Sequence, residues 1–224
     1  MPLTQPRDNE GMPFLMRVEL PDVPGSLGAL ASALGSAGAD IEAIQIVEHR
    51  PDGVAVDDVL LELPPQVMPD GLVTACHGLE GVQVQWISRY SAGANLSMDL
   101  EAVESFTEKP EHAVVRLVEV LPDTLRTDWA MAIQLAGPDV VVWHASAAAP
   151  EPVSELAVLS ALRGPKAISE MSAWPETVLA ASDSRTRDGR SFHVVVGRRG
   201  GPEFLGSEVA RLGHLVSLAS SVQS

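Results

Sequence analysis

The chain has 224 residues, of which 46% are hydrophobic, and its formal net charge is −15. That length and apolar content suit two ordinary domains with real cores and argue against wholesale disorder. No apolar run nears the ~20 residues of a bilayer-spanning helix, the polar start from Met1 to Gly11 has no apolar signal core, and the single Cys76 allows no internal disulfide; a reduced, cytoplasmic setting is expected, with no membrane partner. The charge is uneven, with 16 acidic and 4 basic residues in 1–105 against 14 and 11 in 106–224. So acidic a first half would repel a phosphate backbone, and no direct nucleic-acid partner is expected.

In chain order, Phe14, Met16, Val18 and Leu20 alternate with Arg17 and Glu19, which predicts a strand with one face buried. Pro21 and Pro24 end it, and Gly25-Ser26 offers a turn with Ser26 as helix N-cap. Leu27, Leu30, Ala31 and Leu34 then form one apolar helical stripe, closed at Gly38. A second strand is expected over Ile41–Glu48, a turn at Pro51-Asp52-Gly53, and a third strand over Val54–Leu63. A short helix from Pro69 to Leu79 and a strand from Val82 to Ser88 complete a β-α-β-β-α-β order with both helices on one sheet face. The open sheet invites dimerisation.

That order, with Asp22-Val23-Pro24-Gly25-Ser26-Leu27 before the first helix and Gly38-Ala39-Asp40-Ile41 entering the second strand, resembles an ACT domain over residues 13–90. The resemblance implies a ferredoxin-like regulatory module that binds a small molecule, often an amino acid, and pairs with a second copy. It implies ligand contacts from Asp22, Val23, Pro24, Gly25, Ser26 and Leu27, and from Asp40 and Ile41 at the start of the second strand. Many members carry Asn where this chain has Asp40. The residues alone leave a second reading open, in which Pro-Gly-Ser is only a strand-to-helix turn.

Residues 91–110 read as a linker, with Ser91-Ala92-Gly93-Ala94-Asn95 turn-like and a short helix from Met98 to Phe106 capped by Ser97. The second domain, 111–224, opens on a helix from His112 to Arg126 that Pro122 limits or kinks. Strands follow over Trp129–Leu135 and Val140–Ser146, joined at Gly137-Pro138-Asp139. A helix striped by Leu156, Leu159 and Leu162 comes next. Strands Val178–Arg187 and Ser191–Arg199 meet at Asp188-Gly189, and a helix over Ser207–Val222 ends the chain. This pattern, with Gly201 to Glu208 leading into the last helix, resembles a GAF-like sensory domain with an antiparallel sheet. The fold class expected for the whole chain is therefore α+β.

Chemistry is sparse. No G-x-S-x-G elbow, P-loop or G-x-G-x-x-G turn occurs, and the six histidines are scattered, so neither an enzyme, a metal site nor a cofactor is expected. Trp129, Trp143, His144 and His193 lie on predicted strands of one sheet and define a candidate second pocket with Ser146 and Trp174; the alternative is that they are core or rim residues. Arg185, Arg187, Arg190, Arg198 and Arg199 gather on one hairpin, read as a solvated tip, the alternative being a surface for an acidic partner such as the acidic first half of the chain. The function expected is non-catalytic sensing of a small ligand by a homodimer, the alternative being a ligand-free module that assembles with a partner enzyme or kinase.

Overall fold

A computed structural model of the chain describes residues 11–89, 97–137, 139–168 and 171–223, those from 97 to 102 by backbone alone. The expected turn over 91–95 and Pro138 of the predicted hairpin lie outside the described residues. The chain divides into two compact units, Met1–Ala92 and Gly93–Ser224. Both are α+β, each built on one antiparallel sheet.

The first unit runs β1 (Met12–Pro21), α1 (Ser26–Ser36), β2 (Asp40–His49), β3 (Val54–Leu63), α2 (Pro69–His77), β4 (Gln83–Arg89). Its sheet has the order β2-β3-β1-β4, so each helical crossover skips over one intervening strand. The inward positions of β1, Phe14, Met16, Val18 and Leu20, pack with Leu30 and Leu34 of α1 and Leu72 and Cys76 of α2. Both helices therefore cover the same face. Full burial of a leucine such as Leu30 or Leu34 contributes about 1.5–3 kcal/mol. β1 departs from the one-sided strand expected, because Leu15 and Arg17 on its other face are buried too. Arg17 is held there by Asp58 of β3, with Nε–Oδ1 2.7 Å and Nη2–Oδ2 2.9 Å, and its guanidinium lies 5.4 Å from the Trp86 ring. A fork matched to a carboxylate is the geometry that makes a buried charge tolerable.

Helix α1 begins one residue away from the expected cap. Gly25 is the N-cap, left-handed at φ +100°, and Ser26 is the first helical residue with no capping hydrogen bond. At the other end the cap is Ala37, and Gly38 follows at φ +95°, a value that favours glycine.

The second unit runs α3 (Ser97–Glu108), a 3-10 turn at Pro110–His112, α4 (Ala113–Leu125), β5 (Trp129–Ala136), β6 (Asp139–Ala145), a 3-10 helix over Ser154–Ala161, β7 (Lys166–Ile168), β8 (Thr177–Arg185), β9 (Ser191–Arg199) and α5 (Gly206–Val222). The sheet order is β6-β5-β9-β8-β7. Residues 97–108 are no linker. They form α3, whose Phe106 is fully buried in the core that α4 and α5 make on one sheet face. The opposite face is covered by the 3-10 helix through Leu156, Leu159 and Leu162. A stripe repeating every third residue suits the three-residue turn of a 3-10 helix, which explains why the expected α-helix does not form. Pro122 sits inside α4 without ending it, and its carbonyl accepts from Thr127 N–H at 2.9 Å. Among the described residues no helix is long and apolar enough to cross a membrane.

Candidate functional site

The loop between β1 and α1 is tied at both ends. Asp22 N–H donates to Gly53 O of the β2–β3 turn at 2.8 Å, Val23 N–H to Pro21 O at 2.9 Å, and Ser26 N–H to Val23 O at 3.2 Å. The Asp22 carboxylate is engaged by His49 Nδ1 at 2.8 Å, so it braces the loop against β2. Ala29 N–H reaches Gly25 O, and the Leu27 and Gly28 N–H groups belong to the first turn of α1, where a helix has no i−4 carbonyl of its own to offer. Such groups carry the positive end of the helix dipole and suit an anion.

This loop walls a cavity of about 300 Å³, lined by Leu20 to Leu27 together with Ile46, Ala55 and Asp57. Thus Asp22, Val23, Pro24, Gly25, Ser26 and Leu27 share one cavity. Asp40 and Ile41 do not join them. They pair with Glu62 and Leu61, whereas the cavity sits where Asp57 pairs with Val18 and Ile46. Five residues along a strand is about 16 Å, which puts Asp40 at the opposite end of the sheet within one chain.

Asp57 is the residue that the sequence reading passed over. It is 1% exposed, and neither carboxylate oxygen accepts a hydrogen bond from the protein. Burial pushes its pKa up to about 6; the neighbouring His49 opposes that rise, while Asp22 and Asp58 add to it. Its signal was present in the period of β3: Ala55, Asp57, Val59, Leu61 and Leu63 share the inward face, and an acid in that row breaks the pattern. Val23, Leu27 and Ile46 at the cavity mouth are 59%, 38% and 44% exposed, an apolar rim around a charged floor.

Of the expected second pocket only Trp129 and Trp174 come together, in a cavity of about 230 Å³ that Trp143, His144 and His193 do not line. Trp129 packs with Met131, Leu159 and Val195 on the 3-10 side of the sheet, edge-on to Trp174 at 5.2 Å between centroids. Trp143 packs on the α4–α5 core, edge-on to Phe192 at 5.4 Å with Arg190 stacked on it at 4.8 Å. His144 faces Glu119 of α4 at 3.6 Å. His193 lies opposite Asp183 and Ile133; burial pushes its pKa down, Asp183 opposes that, and its Nδ1 has no partner. The sheet itself keeps Trp129 apart from Trp143. Ser146 is structural, its Oγ accepting from Ala130 N–H at 2.9 Å. The large cavity of this unit, about 740 Å³, lies instead between the 3-10 helix and β7, lined by Leu159, Leu162, Arg163, Lys166 and Met171 among others.

Arg198 also departs from the solvated hairpin tip. It is 7% exposed and donates to Arg126 O, Leu125 O and Pro202 O at 3.1, 3.0 and 3.0 Å and to Glu208 Oε1 at 3.0 Å, with Phe204 against its guanidinium. Among the described residues no group of three or more His, Cys, Asp or Glu side chains could hold a metal ion.

No protein-family model matches the chain. No curated protein matches it either. Among solved structures it is similar to an unknown protein from Galdieria sulphuraria, at 16% identity over 84% of this chain and 81% of that one, with a TM-score of 0.30. It is also similar to the nlh2 GAF domain of A. aeolicus in an inactive state, at 12% identity over 56% of this chain and 92% of that one, TM-score 0.40. A third similarity is to a formyltetrahydrofolate deformylase from Pseudomonas putida KT2440, at 10% identity over 43% of this chain and 38% of that one, TM-score 0.28.

Proposed function

We propose that this chain is a non-catalytic regulatory protein whose first unit senses a small ligand, an amino acid, in the cavity at the end of β1, and that a homodimer transmits the signal by rearranging. The observation that carries this reading is the meeting of two poles in one small cavity: the first turn of α1 at Ser26 and Leu27, the positive end of the helix, and the buried carboxylate of Asp57, which accepts no hydrogen bond. A volume of about 300 Å³ lies at the small end of the range for ligand pockets. The β-α-β-β-α-β order with strands β2-β3-β1-β4 supports an ACT-type, ferredoxin-like module. The order β6-β5-β9-β8-β7, with α4 and α5 on one face, supports a GAF-like second unit. Transmission is then a population shift, with ligand favouring one arrangement of two copies over another.

Thermal denaturation of the full chain against each of the twenty amino acids tests the reading. One or a few should raise the midpoint, since a ligand that binds the native state stabilises it by mass action. Gly25→Val should remove that shift while leaving the fold, because a β-branched residue is strained at φ +100° although nothing within 4 Å obstructs it. The apolar rim of Val23, Leu27 and Ile46 favours a second reading, a ligand-free assembly module. A stable dimer with no thermal response to any amino acid would select it.

A further inference from the structure

The floor of the cavity is a carboxylate, and a buried carboxylate without a partner is costly unless something answers it. The groups that face Asp57 do not. From β2 comes His49, whose Nδ1 is already taken by Asp22. From the loop comes Asp22 and from β3 itself Asp58, both acids. From β1 come only Val18 and Leu20, and the first turn of α1, Ser26 to Ala29, has no charged side chain. The position is thus a counter-charge awaiting a cation small enough for a cavity of about 300 Å³.

Resting on the reading above, we propose that Asp57 is the ammonium-recognition residue of this site, so that the cavity takes small zwitterions by their amine on Asp57 and their carboxylate at the first turn of α1 beside Leu27. A second property follows from the same position. With its pKa pushed up to about 6, Asp57 binds a proton in mildly acidic solution, and that proton competes with the ammonium. Above pH 6 the carboxylate is ionised and the site is ready. Below it, binding must expel a proton, so apparent affinity drops toward tenfold per pH unit.

The experiment is calorimetric titration of the full chain with whichever of the twenty amino acids raises its melting midpoint, and with the N-acetyl derivative of the same amino acid. At pH 8 the N-acetyl derivative should bind about 30-fold more weakly or worse, and Asp57→Asn should weaken the free amino acid by a similar factor, since either change leaves one charge of a pair unanswered. Wild-type affinity should decline steeply between pH 6 and pH 5, and that of Asp57→Asn should stay flat. Circular dichroism and melting of Asp57→Asn, and of Asp57→Ala beside it, separate lost binding from lost fold. An amino acid that binds wild type, Asp57→Asn and Asp57→Ala equally, with its shift still abolished by Gly25→Val, would overturn the role of Asp57 and leave the sensor reading standing. If none of the twenty binds the wild type, the sensor reading fails and this inference fails with it.

Discussion

Asp57 also makes a claim about stability. An acid whose pKa is higher folded than unfolded holds more protons in the folded state between those two values. Stability therefore falls as pH rises from about 4 to about 6, and the loss is complete above that window. A rise from the ordinary carboxylate value to about 6 corresponds to a loss on the order of 2–3 kcal/mol. Asn has nearly the shape of the protonated acid and cannot ionise. Asp57→Asn should therefore match the wild type near pH 3, below both values, and exceed it in stability at pH 7.5, as read by urea denaturation at a series of pH values. A difference between the two proteins that does not change with pH would refute the assignment of that cost to the ionised carboxylate. A residue that weakens the unliganded fold at neutral pH and serves no other contact is the kind that function retains.

At the scale of elements, the second unit is locked by side chains that close helix ends from afar. Arg198, at the end of β9, reaches two of the carbonyls left open at the C-terminus of α4, Leu125 O and Arg126 O, and holds Glu208 of α5 as well. Gln223, just past α5, does the same at the start of α4, accepting from Val114 N–H at 3.0 Å and donating to Glu111 O at 2.9 Å. Arg198→Ala should lower stability by about 2–4 kcal/mol, because it removes the donor shared by three buried or half-buried carbonyls, Leu125 O, Arg126 O and Pro202 O, and one arm of the ion pair with Glu208. Arg198→Lys should rescue little, since a single ammonium cannot span the fork. Urea unfolding followed by tryptophan fluorescence measures both; a loss below about 1 kcal/mol in Arg198→Ala would mean that water replaces the guanidinium without difficulty. These contacts also mark the limit of what could be read beforehand. Strands with a clean period of two were legible, and β3 runs from Val54 to Leu63 as expected. The stripe of α1 and the loop from Asp22 to Leu27 were legible for the same reason, being local. Arg198 meets its partners 72 and 73 residues away, so in the sequence it looked like one more charge on a hairpin. The three-residue β7 is too short to carry a period. Asp57 was legible in principle, but only once the inward row of β3 was written out and its one acid noticed.

For the whole molecule, the charge decides how a second copy can dock. Each chain carries −15, concentrated in residues 1–105, where acids outnumber bases by 16 to 4. Two such copies repel at long range, so a dimer of first units needs short-range attraction that exceeds it. The exposed apolar surface available there includes Val23, Leu27 and Ile46, around the mouth of the cavity itself. A dimer seated on that rim should tighten as salt rises, because the screening length shrinks from about 10 Å at 0.1 M to about 3 Å at 1 M while apolar contact is not weakened. Sedimentation of the full chain at the two salt concentrations reads the change directly. Substituting the rim, as in Val23→Ser with Ile46→Ser, should shift the protein toward monomer at both. A dimer that loosens with salt would instead rest on unlike charges, as when the Arg185–Arg190 hairpin of one copy meets an acidic surface of the other. That result would detach dimerisation from the cavity, and ligand could then reach the quaternary arrangement only through the fold of each chain.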